Sequence, residues 1–98
     1  MECRMKKHYK PVVCENGFRM SVQADEMKYC EPRNNTGPYT RVEVGYPSQK
    51  ESLLMEYAEN PDDPTETVYG WVPSNIIWDV SLKHGGVAQG ELPPLSMT

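Results

Sequence analysis

"YKPVVCENGFRMSVQA", residues 9–24, is the stretch whose reading decides the fold. Asn16-Gly17 lies between two β-prone runs. That dipeptide suits a two-residue type I′ turn, because both central positions need positive φ. After the turn, Phe18, Met20, Val22 and Ala24 alternate with Arg19, Ser21 and Gln23. A period of two marks a half-buried strand. A two-residue loop sets Val13 opposite Met20, one apolar side chain against another. An antiparallel hairpin is therefore expected, with a sheet built outward from it.

The following segments extend that sheet. In "YTRVEVGY", residues 39–46, Val42, Val44 and Tyr46 alternate with Arg41, Glu43 and Gly45, which predicts a third strand antiparallel to the second. Ser48-Gln49-Lys50-Glu51 fits a capping box, and Leu53, Leu54 and Tyr57 follow at helical spacing. A short helix over about 49–58 is expected, stopped by "NPDDP". "ETVYGWV", residues 66–72, predicts a strand with Val68, Gly70 and Val72 on one face and Tyr69 and Trp71 on the other. "PSNIIWDVSLKHGG", residues 73–86, offers Pro73 near a first helical position, Ser74 or Asn75 as cap, and Gly85 as stop. Its stripe is Ile76, Ile77, Val80 and His84, and Lys83 and His84 complement the C-terminal end of the helix dipole. The predicted class is α+β: a small antiparallel sheet in the order β-β-β-α-β-α, with two short helices on one face. Residues 1–8 are expected as a flexible basic start, 9–86 as one domain and 87–98 as a flexible tail. One sheet edge then needs cover, which an oligomer partner supplies.

Composition sets the limits. A chain of 98 residues with 38% hydrophobic content and a mean hydropathy of -0.68 makes one domain with a modest core. Residues 1–50 hold nine Lys/Arg and six Asp/Glu, while residues 51–98 hold one Lys and eight Asp/Glu. Only Arg4, Lys6, Lys7 and Lys10 make a basic run, so nucleic acid is not an expected partner. No apolar run approaches a membrane span, and the charged first residues lack the apolar stretch of a secretory leader. A cytoplasmic chain with reduced thiols is expected. Cys3, Cys14 and Cys30 fit no common zinc spacing, so no metal is assigned, and they read as small buried hydrophobes.

Two groups of residues stand out as candidate sites. The irregular run 29–39 places Tyr29, Arg33, Asn34, Asn35 and Tyr39 together. A guanidinium fork, two amides and two rings suit a small nucleotide-like ligand. The plainer reading is a connection whose Asn and Gly supply turns and whose tyrosines cover the core edge. The second group is Tyr69, Trp71 and Trp78, rings suited to a protein partner if they are exposed. Neither a nucleophile with its base nor an acid–base pair is visible, and His84 reads as a helix-end cation. The chain is read as not an enzyme and as having no cofactor.

The segments "ENGFRMSVQA", "YCEPRNNTGPYTRVEVGYPS", "LLMEYAENPDDPTETVYGWVP" and "KHGG" span residues 15–86. They resemble a group of small proteins encoded by tailed bacteriophages and prophages, a group with no established activity. The resemblance implies expression in an infected bacterial host. It also implies a role in blocking or redirecting a host factor, host defence included. The expected function is a non-enzymatic binder or inhibitor of a host protein, acting as a homo-oligomer. The alternative is a protein that sequesters a nucleotide-like ligand on the 29–39 loop.

Overall fold

The computed structural model describes residues 8–96. Cys3, the basic residues Arg4, Lys6 and Lys7, and the last two positions of the expected tail lie outside the described residues.

The hairpin forms, but its loop is one residue longer than the Asn-Gly pair predicts. Strand β1 (Val12–Cys14) pairs antiparallel with β2 (Arg19–Gln23), Val12 opposite Met20 and Val13 opposite Arg19. In the turn only Gly17 takes a positive φ, 93°. Its N–H donates to Cys14 O, and the Cys14 N–H donates to Phe18 O. This is the three-residue loop closed by a glycine bulge. The Asn16 side chain accounts for the choice, because its Oδ1 accepts from the Phe18 N–H at 3.0 Å. The expected Val13–Met20 pair is thereby corrected to Val12–Met20. Val12, Cys14, Phe18, Met20 and Val22 form the buried face.

Strand β3 (Arg41–Gly45) lies antiparallel to β2 as expected, with Val22 opposite Val44 and Gln23 opposite Glu43. Tyr46 does not continue its buried face. Its φ of 49° turns the ring out to solvent. Strand β4 (Val68–Pro73) pairs with β3 through an irregularity. Val42 faces Val72 and Val44 faces Tyr69, so Gly70 and Trp71 together oppose Glu43. This bulge changes the phase of the strand. Tyr69 and Val72 both enter the core, whereas strict alternation puts them on opposite faces.

Helix α1 (Ser74–Lys83) follows at once, with Pro73 at its N-cap. Ile77, Val80 and His84 are buried as the stripe predicts, and Ile76 is half-buried. Gly85 has a φ of 92° and ends the helix. The Gly86 N–H donates to Ser81 O and the Gly85 N–H to Leu82 O, the two bonds of a Schellman stop. The expected helix over 49–58 does not form. Among those residues there is one 3-10 turn, Met55–Tyr57. Ser48 does not cap a helix: its Oγ accepts from the Arg19 N–H and its own N–H donates to Arg19 O, continuing the sheet. Glu51, the other half of the expected capping box, is buried.

Residues 87–96 do not form the free tail expected of them. Strand β5 (Val87–Gln89) pairs antiparallel with β1, Val13 opposite Gln89 and Cys14 opposite Val87. The sheet order is β4-β3-β2-β1-β5, so α1 carries the chain from one edge to the other. Residues 91–96 then return across the molecule. The Glu91 N–H donates to Lys10 O, the Tyr39 N–H to Pro94 O and the Ser96 N–H to Tyr39 O. The class is α+β, with a five-stranded antiparallel sheet and one α-helix among the described residues.

Gly90 makes this return turn feasible. Its φ is 96°, and a Cβ there would overlap the Pro11 carbonyl and press on Val12 Cα. Gly86 has nearly the same φ, 94°, but open space around it. Gly90→Ala is therefore expected to cost at least about 2 kcal/mol more in unfolding free energy than Gly86→Ala. Urea titration of the two variants checks the difference.

Candidate functional site

The 25–40 connection is fastened by its own side chains. The Asp25 carboxylate accepts from the Met27 N–H, and Asn35 Oδ1 accepts from the Glu26 N–H at 2.9 Å. Asn34 Oδ1 accepts from the Thr36 and Gly37 N–H groups at 3.1 and 2.9 Å. Both asparagines of the expected ligand site thus spend their acceptors on turns, as Asn does in loops. Tyr39 is corrected as a ligand-binding residue. Its ring is buried and its hydroxyl donates to Asn34 O at 2.8 Å. Burial pushes its phenol up to about 12. Arg33 remains exposed. Tyr29, Arg33, Asn34, Asn35 and Tyr39 do not converge as an open five-residue site.

Tyr29 instead meets Trp71. The bulge in β4 frees the Trp71 N–H from the ladder, and Tyr29 O accepts it at 2.9 Å. The Tyr29 N–H donates to Glu43 Oε1 at 3.0 Å. With both backbone groups held, the Tyr29 ring stacks on the Trp71 indole at a centroid distance of 4.8 Å and an interplanar angle of 19°. Gly70 permits this, since a Cβ there would lie 3.3 Å from Tyr29 Cβ. An offset pair of this kind is worth about 0.5–1.5 kcal/mol beyond the area it buries. Tyr29 nevertheless remains 40% exposed and Trp71 46%. Arg41 stands beside them, its Nη1 donating to Trp71 O at 3.4 Å and its Nε 3.7 Å from Glu31 Oε1.

The three aromatic residues expected as one protein-binding surface therefore separate by role. Tyr69 is in the core, its hydroxyl donating to Pro64 O. Trp71 is half of the exposed stack, and Trp78 sits on the outward side of α1. Sequence reasoning missed the Tyr29–Trp71 pair because 42 positions divide the two rings. The one local signal is Gly70, a glycine inside a strand, which marks a bulge or a close approach.

A second cluster joins residues that the sequence assigns to separate roles. His84 Nε2 lies 2.6 Å from Glu51 Oε1, and His84 Nδ1 lies 2.8 Å from Asn16 Nδ2. Phe18 stacks on the imidazole at 4.1 Å. Asn16 Oδ1 is already committed to the Phe18 N–H, so its amide must donate to Nδ1. His84 Nδ1 is then the acceptor of that contact, and Nε2 faces the Glu51 carboxylate as donor. Glu51 Oε2 also accepts from Lys83 Nζ at 2.8 Å and from the Leu53 N–H at 2.9 Å. Burial alone raises the Glu51 carboxyl, but the Lys83, Leu53 and His84 hydrogen bonds outweigh it and hold the group below its ordinary value. Both ring nitrogens of His84 are engaged by neighbouring side chains and the ring is buried, so neither nitrogen faces solvent. His84 stands at the end of α1 as expected, with its ring directed into the core.

Burial pushes up the thiols of Cys14 and Cys30, which makes them unreactive fillers. Among the described residues no three His, Cys, Asp or Glu side chains gather as metal ligands, and no helix is long and apolar enough to cross a membrane. Compared with protein-family models, curated proteins and solved structures, the chain matches none.

The Glu51 cluster has a pH signature. The folded state holds this carboxyl below 4.5, its ordinary value, and so binds fewer protons than the unfolded chain as pH drops through that range. The resulting stability is complete above about 4.5 and fades as pH falls through the lower folded value. Glu51→Gln is expected to unfold more easily at pH 7, by on the order of 2 kcal/mol, and to lose this part of the acid slope. Urea titrations at pH 7 and pH 3 check it: the gap between native chain and variant must shrink at pH 3.

Proposed function

We propose that this chain is a non-catalytic binding protein that engages another protein through the Tyr29–Trp71 stack. One observation carries the reading. Two large rings are exposed, and backbone hydrogen bonds hold them in place before any partner arrives. Preset aromatic side chains lose little entropy on binding, which is why such rings anchor protein interfaces. Arg41 beside the stack supplies the charged rim typical of such anchors. Glu56, Glu59, Asp62, Asp63 and Glu66, all exposed, give the same half of the chain an acidic surface that repels nonspecific acidic partners.

The phage resemblance supplies the setting: an infected bacterial cytoplasm, with a host protein, host defence included, as the partner to be blocked or redirected. The alternative, a nucleotide-like ligand on the 29–39 loop, rests on Arg33 once Tyr39 and the two asparagine acceptors are engaged elsewhere.

Affinity capture from a bacterial lysate, with Trp71→Ala and Arg33→Ala beside the native chain, separates the readings. The expected outcome is a defined host protein retained by the native chain and by Arg33→Ala, and lost at least about 10-fold with Trp71→Ala. Capture unchanged in both Trp71→Ala and Tyr29→Ala overturns the proposal. A small molecule that co-purifies with the native chain in native mass spectrometry and disappears in Arg33→Ala favours the ligand reading instead.

A further inference from the structure

The outward side of α1 is a second surface, independent of the Tyr29–Trp71 stack. An α-helix advances about 100° per residue. Ser74, Ile77, Val80 and Ser81 fall on one side and are buried. Asn75, Trp78, Asp79, Leu82 and Lys83 fall on the other and are exposed. Leu82 is 73% exposed and Trp78 is 38% exposed. Four residues apart, they form one apolar patch. Asp79 and Lys83, also four apart, run along one flank of it, negative toward the start of the helix and positive toward its end.

A flank of that kind complements itself. A twofold axis perpendicular to the helix near Ser81 reverses its direction while keeping the same flank on the same side. Asp79 then faces the partner's Lys83, Lys83 faces the partner's Asp79, and the two Leu82 side chains meet across the axis. Lys83 can serve both contacts, since an ammonium has three N–H donors. Its Nζ already lies 2.8 Å from Glu51 Oε2 and 3.5 Å from Ser52 Oγ. A partner of uniform charge would match one end of this flank and oppose the other. The outer edge of β5, which no strand among the described residues pairs, is only three residues long and offers a second copy much less.

We propose that the chain forms an antiparallel twofold dimer through the outward face of α1, with Trp78 and Leu82 packed at its centre and two Asp79–Lys83 pairs at its rim. One ten-residue helix makes a small interface, so dissociation is expected on the order of 10–100 µM.

Sedimentation velocity across that range tests the proposal. The native chain is expected to pass from monomer to dimer. Leu82→Glu and Asp79→Lys, both solvent-side changes, are expected to weaken the dimer at least about 10-fold. A geometric test uses Leu82→Cys and Asn75→Cys in a Cys3→Ser background under mild oxidation. Position 82 crosslinks, and position 75 does not, because the antiparallel axis separates its two copies by about 18 Å. A native chain that stays monomeric throughout overturns the proposal. So does a dimer that survives Leu82→Glu, or crosslinking at 75 as fast as at 82. Should Leu82→Glu fail to fold, the cysteine pair, which adds no charge, decides the matter.

Discussion

A buried carboxylate must be met from every side, and in this fold that requirement falls on Glu51. It is about 1% exposed and accepts from His84, Lys83 and the Leu53 backbone. Leaving such a group without partners would cost several kcal/mol. Satisfying it ties together three parts of the chain that are distant in sequence: the hairpin turn at Asn16, the segment after Ser48, and the end of α1. Several departures from local preference follow. The 49–58 segment forgoes its helix because Ser48 is held by Arg19 and Glu51, the other half of the capping box, points inward. The hairpin takes the longer loop, in which Asn16 serves both Phe18 and His84. Helix α1 stops where His84 can enter the core, and the two glycines after it let the chain turn away.

The bulge in β4 plays the corresponding part on the outside of the sheet. One extra residue in a strand sends the following side chain to the other face. Here that shift puts Tyr69 and Val72 inside together and leaves Trp71 in a left-handed conformation, φ 52°, with its N–H outside the ladder. Tyr29 takes that N–H, and the whole 25–40 connection is drawn down beside the strand. Core packing and surface display are therefore set by one irregularity. The Tyr29–Trp71 rings are exposed because the bulge needs them there, and the backbone bonds that relieve it also keep them rigid.

What the sequence discloses depends on whether a signal is local. The hairpin, β3 and α1 are legible because period-two alternation, Asn-Gly and a proline-to-glycine frame act within a few residues. The Schellman stop at Gly85 is legible for the same reason. Strand β5 is not, since it pairs with one neighbour, is exposed on both faces and carries no alternation. The capping box at Ser48 is a genuine local motif overridden by tertiary demand, with Arg19 claiming Ser48 and His84 claiming Glu51. Of the candidate site residues, Tyr29, Arg33, Trp71 and Trp78 are on the surface where a partner can reach them. Tyr39 and Tyr69 look like surface rings in sequence, and only the return of residues 91–96 and the phase shift of β4 bury them.

The placement of β1 between β2 and β5 affects how the chain is made. During synthesis the first hairpin can pair as soon as it leaves the ribosome, yet the far side of β1 stays open until Val87–Gln89 has emerged. Closing that edge joins positions more than seventy apart in sequence, the kind of distant pairing that slows folding. Throughout that interval an unpaired, partly apolar strand is presented to the cell, and unpaired edges are where nascent chains aggregate. The irregular register between β1 and β5 and the brevity of both strands make that edge a poor template for a stranger while it waits. Val87–Gln89 thus completes the sheet long after its partner strand has been made, and removing that segment reopens the outer side of β1.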